Sequence, residues 1–285
     1  MGRREPGRVT EGRTPGPLVT LPLHERLLDA RRRTPASLEI SPDLGRSTTV
    51  ADIAAEAWGC LGRRYPYLDR CRDRTIYWWT GAAFEPVARY GSSLIKLVPT
   101  SWGPPTFEID GIKMLPTAKT SPLDDARRKV EAVRPMGSVV LDTCGGLGYF
   151  AACCVEQGAA RVVSFEKNPD VLWLRTLNPW SPTPGGVLEL VQGDVIERIP
   201  ALADRSFDAV LHDPPRFGIA GELYSADFYA QLLRVLRPGG RLFHYTGTPN
   251  KLTSGRDVPG EVARRLAAVG FRTEPWGDGV LALRK

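Results

Sequence analysis

The sequence predicts an α/β protein in which a mostly parallel sheet is covered by helices on both faces and a smaller α+β region comes first. Three observations predict it. From residue 123 onward, short, mostly apolar runs such as 138–141 and 207–211 alternate with amphipathic helical runs, the pattern of parallel strands buried on both faces. Four of the apolar runs end in an acidic residue or lead into a glycine-containing turn. The last two runs, 271–276 and 280–284, are joined only by Gly277-Asp278-Gly279, the spacing of a hairpin, which adds an antiparallel strand.

The elements follow in order. Residues 1–17 are rich in Gly, Pro, Arg and Glu and are expected to be a disordered basic tail. Residues 21–33 and 50–64 have helical patterns. Between 75 and 114 the chain reads as strands: 75–79, then 84–90 after the Thr80-Gly81 turn, then 93–98 and 106–114, divided by Pro99 and by Gly103-Pro104-Pro105. Residues 18–120 are therefore expected to form a small lid or substrate domain, connected through 116–122 to a ligand-binding domain over 121–285. In that second region helices are expected at 123–133, 148–157, 169–177, 225–236 and 261–269. Strands are expected at 138–141, 161–165, 187–191, 207–211 and 241–245, ahead of the final hairpin.

Composition narrows the class. With 285 residues, 42% hydrophobic and 25% charged, the chain has room for one large and one small globular domain. No apolar stretch approaches the ~20 residues that cross a bilayer, so no membrane association is expected. The basic N-terminus has no apolar segment behind it, unlike a secretory signal. The five cysteines are odd in number and form no CxxC pair, which points to a reduced, cytoplasmic protein without structural zinc. The formal charge of +6 raises the question of a nucleic-acid substrate. The basic residues are scattered, however, and those at 127–129 and 264–265 lie beside acidic residues, as on solvated helix faces. A small-molecule substrate is favoured over nucleic acid.

The chemistry-bearing motifs sit where expected strands end. Val139-Val-Leu-Asp-Thr-Cys-Gly-Gly-Leu-Gly148 is an apolar strand, an acid and a glycine-rich turn that opens a helix. Gly145, Gly146 and Gly148 allow sharp turning and close ligand approach, with Thr143 and Cys144 in the same turn. The spacing is not GxGxxG, and an acid before the glycines suits a cationic amino acid moiety better than a pyrophosphate, with Asp142 as its acceptor. Glu166 ends the next strand, about 20 residues beyond the turn, where a carboxylate accepts from ribose hydroxyls; Lys167 and Asn168 flank it. Gly193, Asp194 and Val195 follow the third strand, where Asp194 suits an adenine amino group. His212, Asp213 and Pro214 end the fourth. Ligands in such sheets bind outside the strands' carboxyl ends.

These motifs, over roughly 123–285, resemble the S-adenosylmethionine (SAM)-dependent methyltransferase superfamily. The resemblance implies a Rossmann-like class I methyltransferase fold of seven strands and SAM as cosubstrate or substrate. A narrower resemblance covers most of the chain after about residue 38. Leu97-Val-Pro-Thr100, the run from Pro105 to Met114, Asp142 to Gly148, His212-Asp-Pro-Pro-Arg-Phe217, Gly221 to Ser225 and Phe243 to Gly247 look like the archaeal-type family of predicted methyltransferases with an HDPPR motif. Asp213-Pro-Pro215 is also similar to the (D/N)PP(Y/F/W) signature of amino-group methyltransferases, with Arg216 in place of the aromatic residue. Arg216 suits a carboxylate or phosphate, or is a surface arginine.

The catalytic candidates are Asp213, His244, Tyr224 and Arg216. His212 and His244 end neighbouring strands, and His244 is the better candidate for a general base near neutral pH. Tyr224 and Tyr245 fall near the same crevice, where an aromatic face meets a sulfonium. No metal site is expected, and Cys144 reads as packing. Methyl transfer to a small-molecule acceptor is the expected reaction. The alternative is attack at the γ-carbon of the methionine chain with release of methylthioadenosine, by ring closure of SAM to a cyclic amino acid or by aminopropyl-type transfer. Methylation of an RNA base is a further alternative.

Overall fold

The computed structural model describes residues 16–33, 36–216, 218, 220–247 and 257–285. Most of the expected basic tail, 1–15, lies outside them. Among the described residues no helix is long and apolar enough to cross a membrane. The chain divides into two compact units between Val87 and Ala88.

The first unit opens with α1 (Leu21–Arg33), whose Leu23, Leu27 and Ala30 share one buried face. Strands β1 (Ser37–Ile40), β2 (Thr49–Ile53), β3 (Ala57–Cys60) and β4 (Arg63–Pro66) form an antiparallel sheet in that order. A hairpin of β5 (Tyr77–Trp79) and β6 (Phe84–Pro86) completes the unit. The helix expected over 50–64 is instead β2, β3 and β4. Leu61 and Gly62, both at positive φ (51° and 73°), make a two-residue turn that no helix accommodates and that matches the twist of paired strands. An aromatic cluster of Trp58, Tyr65, Trp79 and Phe84, with ring centroids 5.2–6.3 Å apart, supplies the core.

The second unit begins with a separate antiparallel sheet, β7 (Ala88–Tyr90), β8 (Leu94–Val98), β9 (Thr106–Ile109) and β10 (Ile112–Lys113). Compactness thus divides the chain about thirty residues before the expected connector at 116–122. Contacts between this sheet and the helices that follow explain the difference. Arg89 lies 4.1 Å over the Trp173 ring and pairs with Asp170 at 3.0 Å, while the Tyr149 hydroxyl donates to the Pro105 carbonyl at 2.7 Å.

The rest of the unit alternates. Helices α2 (Pro122–Glu131), α3 (Tyr149–Glu156), α4 (Pro169–Leu177), α5 (Val195–Arg198), α6 (Ala226–Val235) and α7 (Val258–Ala268) separate the strands β11 (Val139–Asp142), β12 (Arg161–Glu166), β13 (Leu188–Gln192), β14 (Phe207–His212), β15 (Leu236–Tyr245), β16 (Phe271–Trp276) and β17 (Gly279–Arg284). The strands make one sheet in the order β13-β12-β11-β14-β15-β17-β16, parallel except where β17 runs against both neighbours. The expected seven-stranded α/β fold with its terminal hairpin is therefore present. Side chains of α6 and α7, such as Phe228, Leu232, Val262 and Leu266, share a core with Leu141, Val163, Val210 and Leu242 of the sheet. Chain direction across the sheet reverses at β11, which has β12 on one side and β14 on the other. In sheets of this kind ligands bind at such a reversal, beyond the carboxyl ends of the strands, here those of β11 and β14.

Candidate active site

Five strand ends carry the candidate residues. At the end of β11, Asp142 is fully buried. Its Oδ2 accepts from the Ser164 hydroxyl at 2.8 Å, and its Oδ1 is buried with no hydrogen-bond partner. Burial pushes its carboxyl up to about 6, against the Ser164 hydrogen bond and the Arg175 charge. The turn that follows is built on glycine for steric reasons. A Cβ on Gly145 would collide with Ser164 Oγ, and one on Gly148 (φ 83°) would lie 2.5 Å from the Arg175 guanidinium. Gly146 (φ 49°) donates its N–H to Glu166 Oε2 at 2.9 Å.

Glu166, at the end of β12, also accepts from the Asn168 N–H at 2.8 Å through Oε1. Two backbone donors thus orient the carboxylate while each oxygen keeps a lone pair for a ligand. Burial raises its pKa, opposed by those two hydrogen bonds. Asn168 caps α4. Beyond β13, Gly193 (φ 157°) donates to the Glu166 carbonyl, and Asp194 caps α5 through Ile196 N–H while its Oδ2 meets Lys167 Nζ at 3.3 Å. Val195 is buried behind them. Thr143, Cys144, Gly145, Gly146, Gly148, Glu166, Lys167 and Asn168 therefore gather around one turn. Burial raises the Cys144 thiol well above its ordinary range, in keeping with packing and not with a nucleophile.

The histidines do not fit the roles expected of them. His212 is fully buried, with Nε2 3.1 Å from the Leu223 carbonyl and Nδ1 2.7 Å from the Thr143 hydroxyl. A carbonyl only accepts, so Nε2 carries the proton and Nδ1 accepts from Thr143. His244 is likewise fully buried. Its Nδ1–H donates to the Tyr245 carbonyl at 2.9 Å, and its Nε2 accepts from the Tyr229 hydroxyl at 2.8 Å. Burial pushes the His244 imidazole down to about 4 and that of His212 well below its ordinary value. The expectation that His244 is a general base tuned near neutrality is corrected. Both ring nitrogens are occupied inside the protein, and the ring stays neutral. The two rings stand 4.5 Å apart at 87° as a buried support under the strand ends.

Asp213 follows His212 and is only partly buried. Burial pushes its carboxyl up to about 7, opposed by the Lys129 charge and reinforced by Asp125, Asp142 and Asp278. Pro214 is buried beside it. Tyr224 is buried, its ring 5.2 Å from that of His244 and its hydroxyl donating to the Pro215 carbonyl at 3.0 Å. Arg216 is exposed.

Three residues, one acting on Asp213 and two beside the glycine turn, were not singled out in the sequence. Lys129 on α2 is buried, 2.6 Å from Asp125 and 3.7 Å from Asp278, with its Nζ 3.7 Å over the Tyr245 ring. The expectation of a solvated face at 127–129 holds for exposed Arg128 and is overturned for Lys129, because the ends of β15 and the β16–β17 turn cover that side of the helix. The usable signal was the Asp125–Lys129 spacing of one helical turn, which surface pairs share. Ser164 and Arg175 sit under the glycine turn and carried no recognisable motif.

Residues 141–244 match the family described as methyltransferase domain. That match lies within the second unit, whose seven-stranded sheet has the class I methyltransferase fold. The chain is 49% identical over 179 residues to an uncharacterized protein of Methanocaldococcus jannaschii, 62% of this chain and 61% of that protein. It is 32% identical over 117 residues to polyamine aminopropyltransferase 2 of Streptomyces coelicolor, 38% of this chain and 21% of that protein. The chain thus spans under two thirds of the length of these relatives. A spermidine synthase structure in complex with a transition-state analogue shares the fold, with a TM-score of 0.54 at 17% identity over 69% of this chain and 72% of that one. SAM is the cofactor this methyltransferase domain implies, and the residues present fit it. The orphaned Asp142 Oδ1 is an acceptor without a donor, at the strand end where an ammonium would be held.

Proposed function

We propose that the protein is a SAM-dependent enzyme that transfers a methyl group to a small acceptor bearing an amine, and that it belongs to the archaeal-type family with the HDPPR motif. In this reading Asp142 accepts from the ammonium of SAM, and Thr143, Cys144, Gly145, Gly146 and Gly148 cradle its methionine end. Glu166, with Lys167 and Asn168, holds the ribose; Gly193, Asp194 and Val195 hold the adenine. His212, expected at the cofactor, supports that cradle through its bond to Thr143. The observation that carries the reaction is Asp213: a carboxyl at the crevice, held near 7, with no hydrogen-bond partner among the described residues. Such a group takes a proton from an incoming ammonium at neutral pH and leaves the nitrogen lone pair free to attack. Tyr224 and Tyr245 offer aromatic faces beside it, which suit a cationic sulfonium or amine. Exposed Arg216 is assigned to a carboxylate or phosphate on the acceptor.

The test is incubation with SAM, with and without a panel of primary and secondary amines, followed by quantification of adenosylhomocysteine and methylthioadenosine. Amine-dependent adenosylhomocysteine is the expected product. The Asp213→Asn variant should bind SAM but lose turnover ten-fold or more, about 1.4 kcal/mol at the barrier. Full turnover in that variant would remove Asp213 from the chemistry. The similarity to a polyamine aminopropyltransferase favours a second reading, attack at the γ-carbon of the methionine chain. Its signature in the same assay is methylthioadenosine, formed without added acceptor if SAM closes on itself.

A further inference from the structure

Arg175 has no place in the chemistry just proposed. It projects from α4 and is 5% exposed. Its Nε and both terminal nitrogens are buried without a hydrogen-bond partner. A guanidinium in that state is among the least stable arrangements a protein interior can hold. It lies against the glycine turn, where a Cβ on Gly145 would stand 3.1 Å from one of its nitrogens and a Cβ on Gly148 2.5 Å from the other. The turn ends at the N-terminus of α3, whose cap residue, Gly148, offers no side-chain acceptor to the first N–H groups. Those groups carry the positive end of the helix dipole. Two independent features therefore put positive character at one spot: a helix N-terminus without a side-chain cap and, beneath it, a sealed guanidinium that makes no hydrogen bond.

Resting on the SAM reading above, we propose that Arg175 makes this spot an anion site for the α-carboxylate of SAM, and so selects intact SAM over its decarboxylated form. The carboxylate sits on the first N–H groups of α3, which no side chain caps, and Arg175 acts on it from below, through charge and not through contact. Its neighbours support this. Asp142 and Glu166 are the carboxylates whose charges reach Arg175, and together the three leave a single net negative charge. SAM, with a sulfonium, an ammonium and a carboxylate, carries a single net positive charge and matches it. Decarboxylated SAM has two positive charges and nothing to set above the guanidinium. Without Arg175 the same pocket would have the charge that suits the decarboxylated form.

Calorimetry on the full chain tests this with SAM, decarboxylated SAM and adenosylhomocysteine as ligands. The wild type should bind SAM at least about ten-fold more tightly than decarboxylated SAM, the scale of one modest ionic interaction. Arg175→Met should erase or reverse that preference, and Arg175→Lys, which keeps the charge, should retain it. Arg175→Gln replaces the Met variant if the latter does not fold. Equal wild-type affinities for SAM and decarboxylated SAM would overturn the proposal while leaving SAM binding intact. A neutral variant that weakens both ligands alike would also overturn it, by making Arg175 a structural clamp. Binding of none of the three ligands by the wild type would instead overturn the SAM reading itself, and the proposal with it.

Discussion

At the residue scale, Asp213 and Asp142 carry charge where the surroundings disfavour it. The Asp213 pKa is raised from the ordinary 3.8 to about 7 in the folded chain. A raised folded pKa contributes stability that is fully present below pH 3.8 and is lost as pH rises through 7. Removing the charge should therefore help most on the alkaline side. Asp213→Asn should raise the melting temperature of the ligand-free protein more at pH 8 than at pH 5, by an amount corresponding to no more than a few kcal/mol, since the group is only partly buried. His212 and His244 oppose this trend as pH falls below 6.5, but they are the same in both variants and cancel in the comparison. An equal gain at both pH values would show that Asp213 ionises normally. The sequence made Asp213 and Glu166 legible because each follows an apolar strand at its crevice end. It left His244 open because a strand-end histidine looks the same whether its nitrogens face a substrate or, as here, the Tyr229 hydroxyl and the Tyr245 carbonyl.

At the scale of elements, the glycine turn and the first unit's hairpin make a useful contrast. Gly148 and Gly62 both have positive φ, 83° and 73°. An added Cβ at Gly62 meets nothing within 4 Å, whereas at Gly148 it meets the Arg175 guanidinium and Pro182. Gly62→Ala should cost about 1 kcal/mol, the backbone penalty alone. Gly148→Ala should cost more than that and also weaken SAM binding; equal losses in denaturant unfolding would mean that Arg175 moves aside freely. The same contrast explains what could be read in advance. Helix α4 and strand β16 match their sequence-based bounds residue for residue, because Asn168-Pro169 marks a helix start and Gly270 and Gly277 bracket the strand. The stretch 50–64 was misread because Val50, Ile53, Ala54 and Ala57 imitate a helical spacing, and only the conformation of Leu61 and Gly62 decides for a hairpin. Helix α5, one turn long, carries too few residues to show a period.

At the scale of the whole molecule, the two compact units divide the described chain unequally, and every residue assigned to SAM lies in the second. The boundary was not legible because β7 to β10 resemble the first unit in composition and hairpin spacing, yet their partners are Asp170, Trp173 and Tyr149 further along the chain. The buried histidine pair gives that second unit a built-in clock. The Nε2–H of His212 and the Nδ1–H of His244 are donated to backbone carbonyls in rings with no solvent exposure, so these protons trade with solvent only when the unit opens. In a proton magnetic resonance spectrum they should stand as two separate, long-lived imidazole signals. SAM at a hundred times its dissociation constant should slow their exchange about a hundred-fold, the ratio that mass action sets for a ligand bound only by the folded form. Amide protons of β1 to β4 in the first unit should keep their own pace. Ring signals that vanish at the same rate with and without SAM would mean that the rings exchange without opening of the unit that binds it.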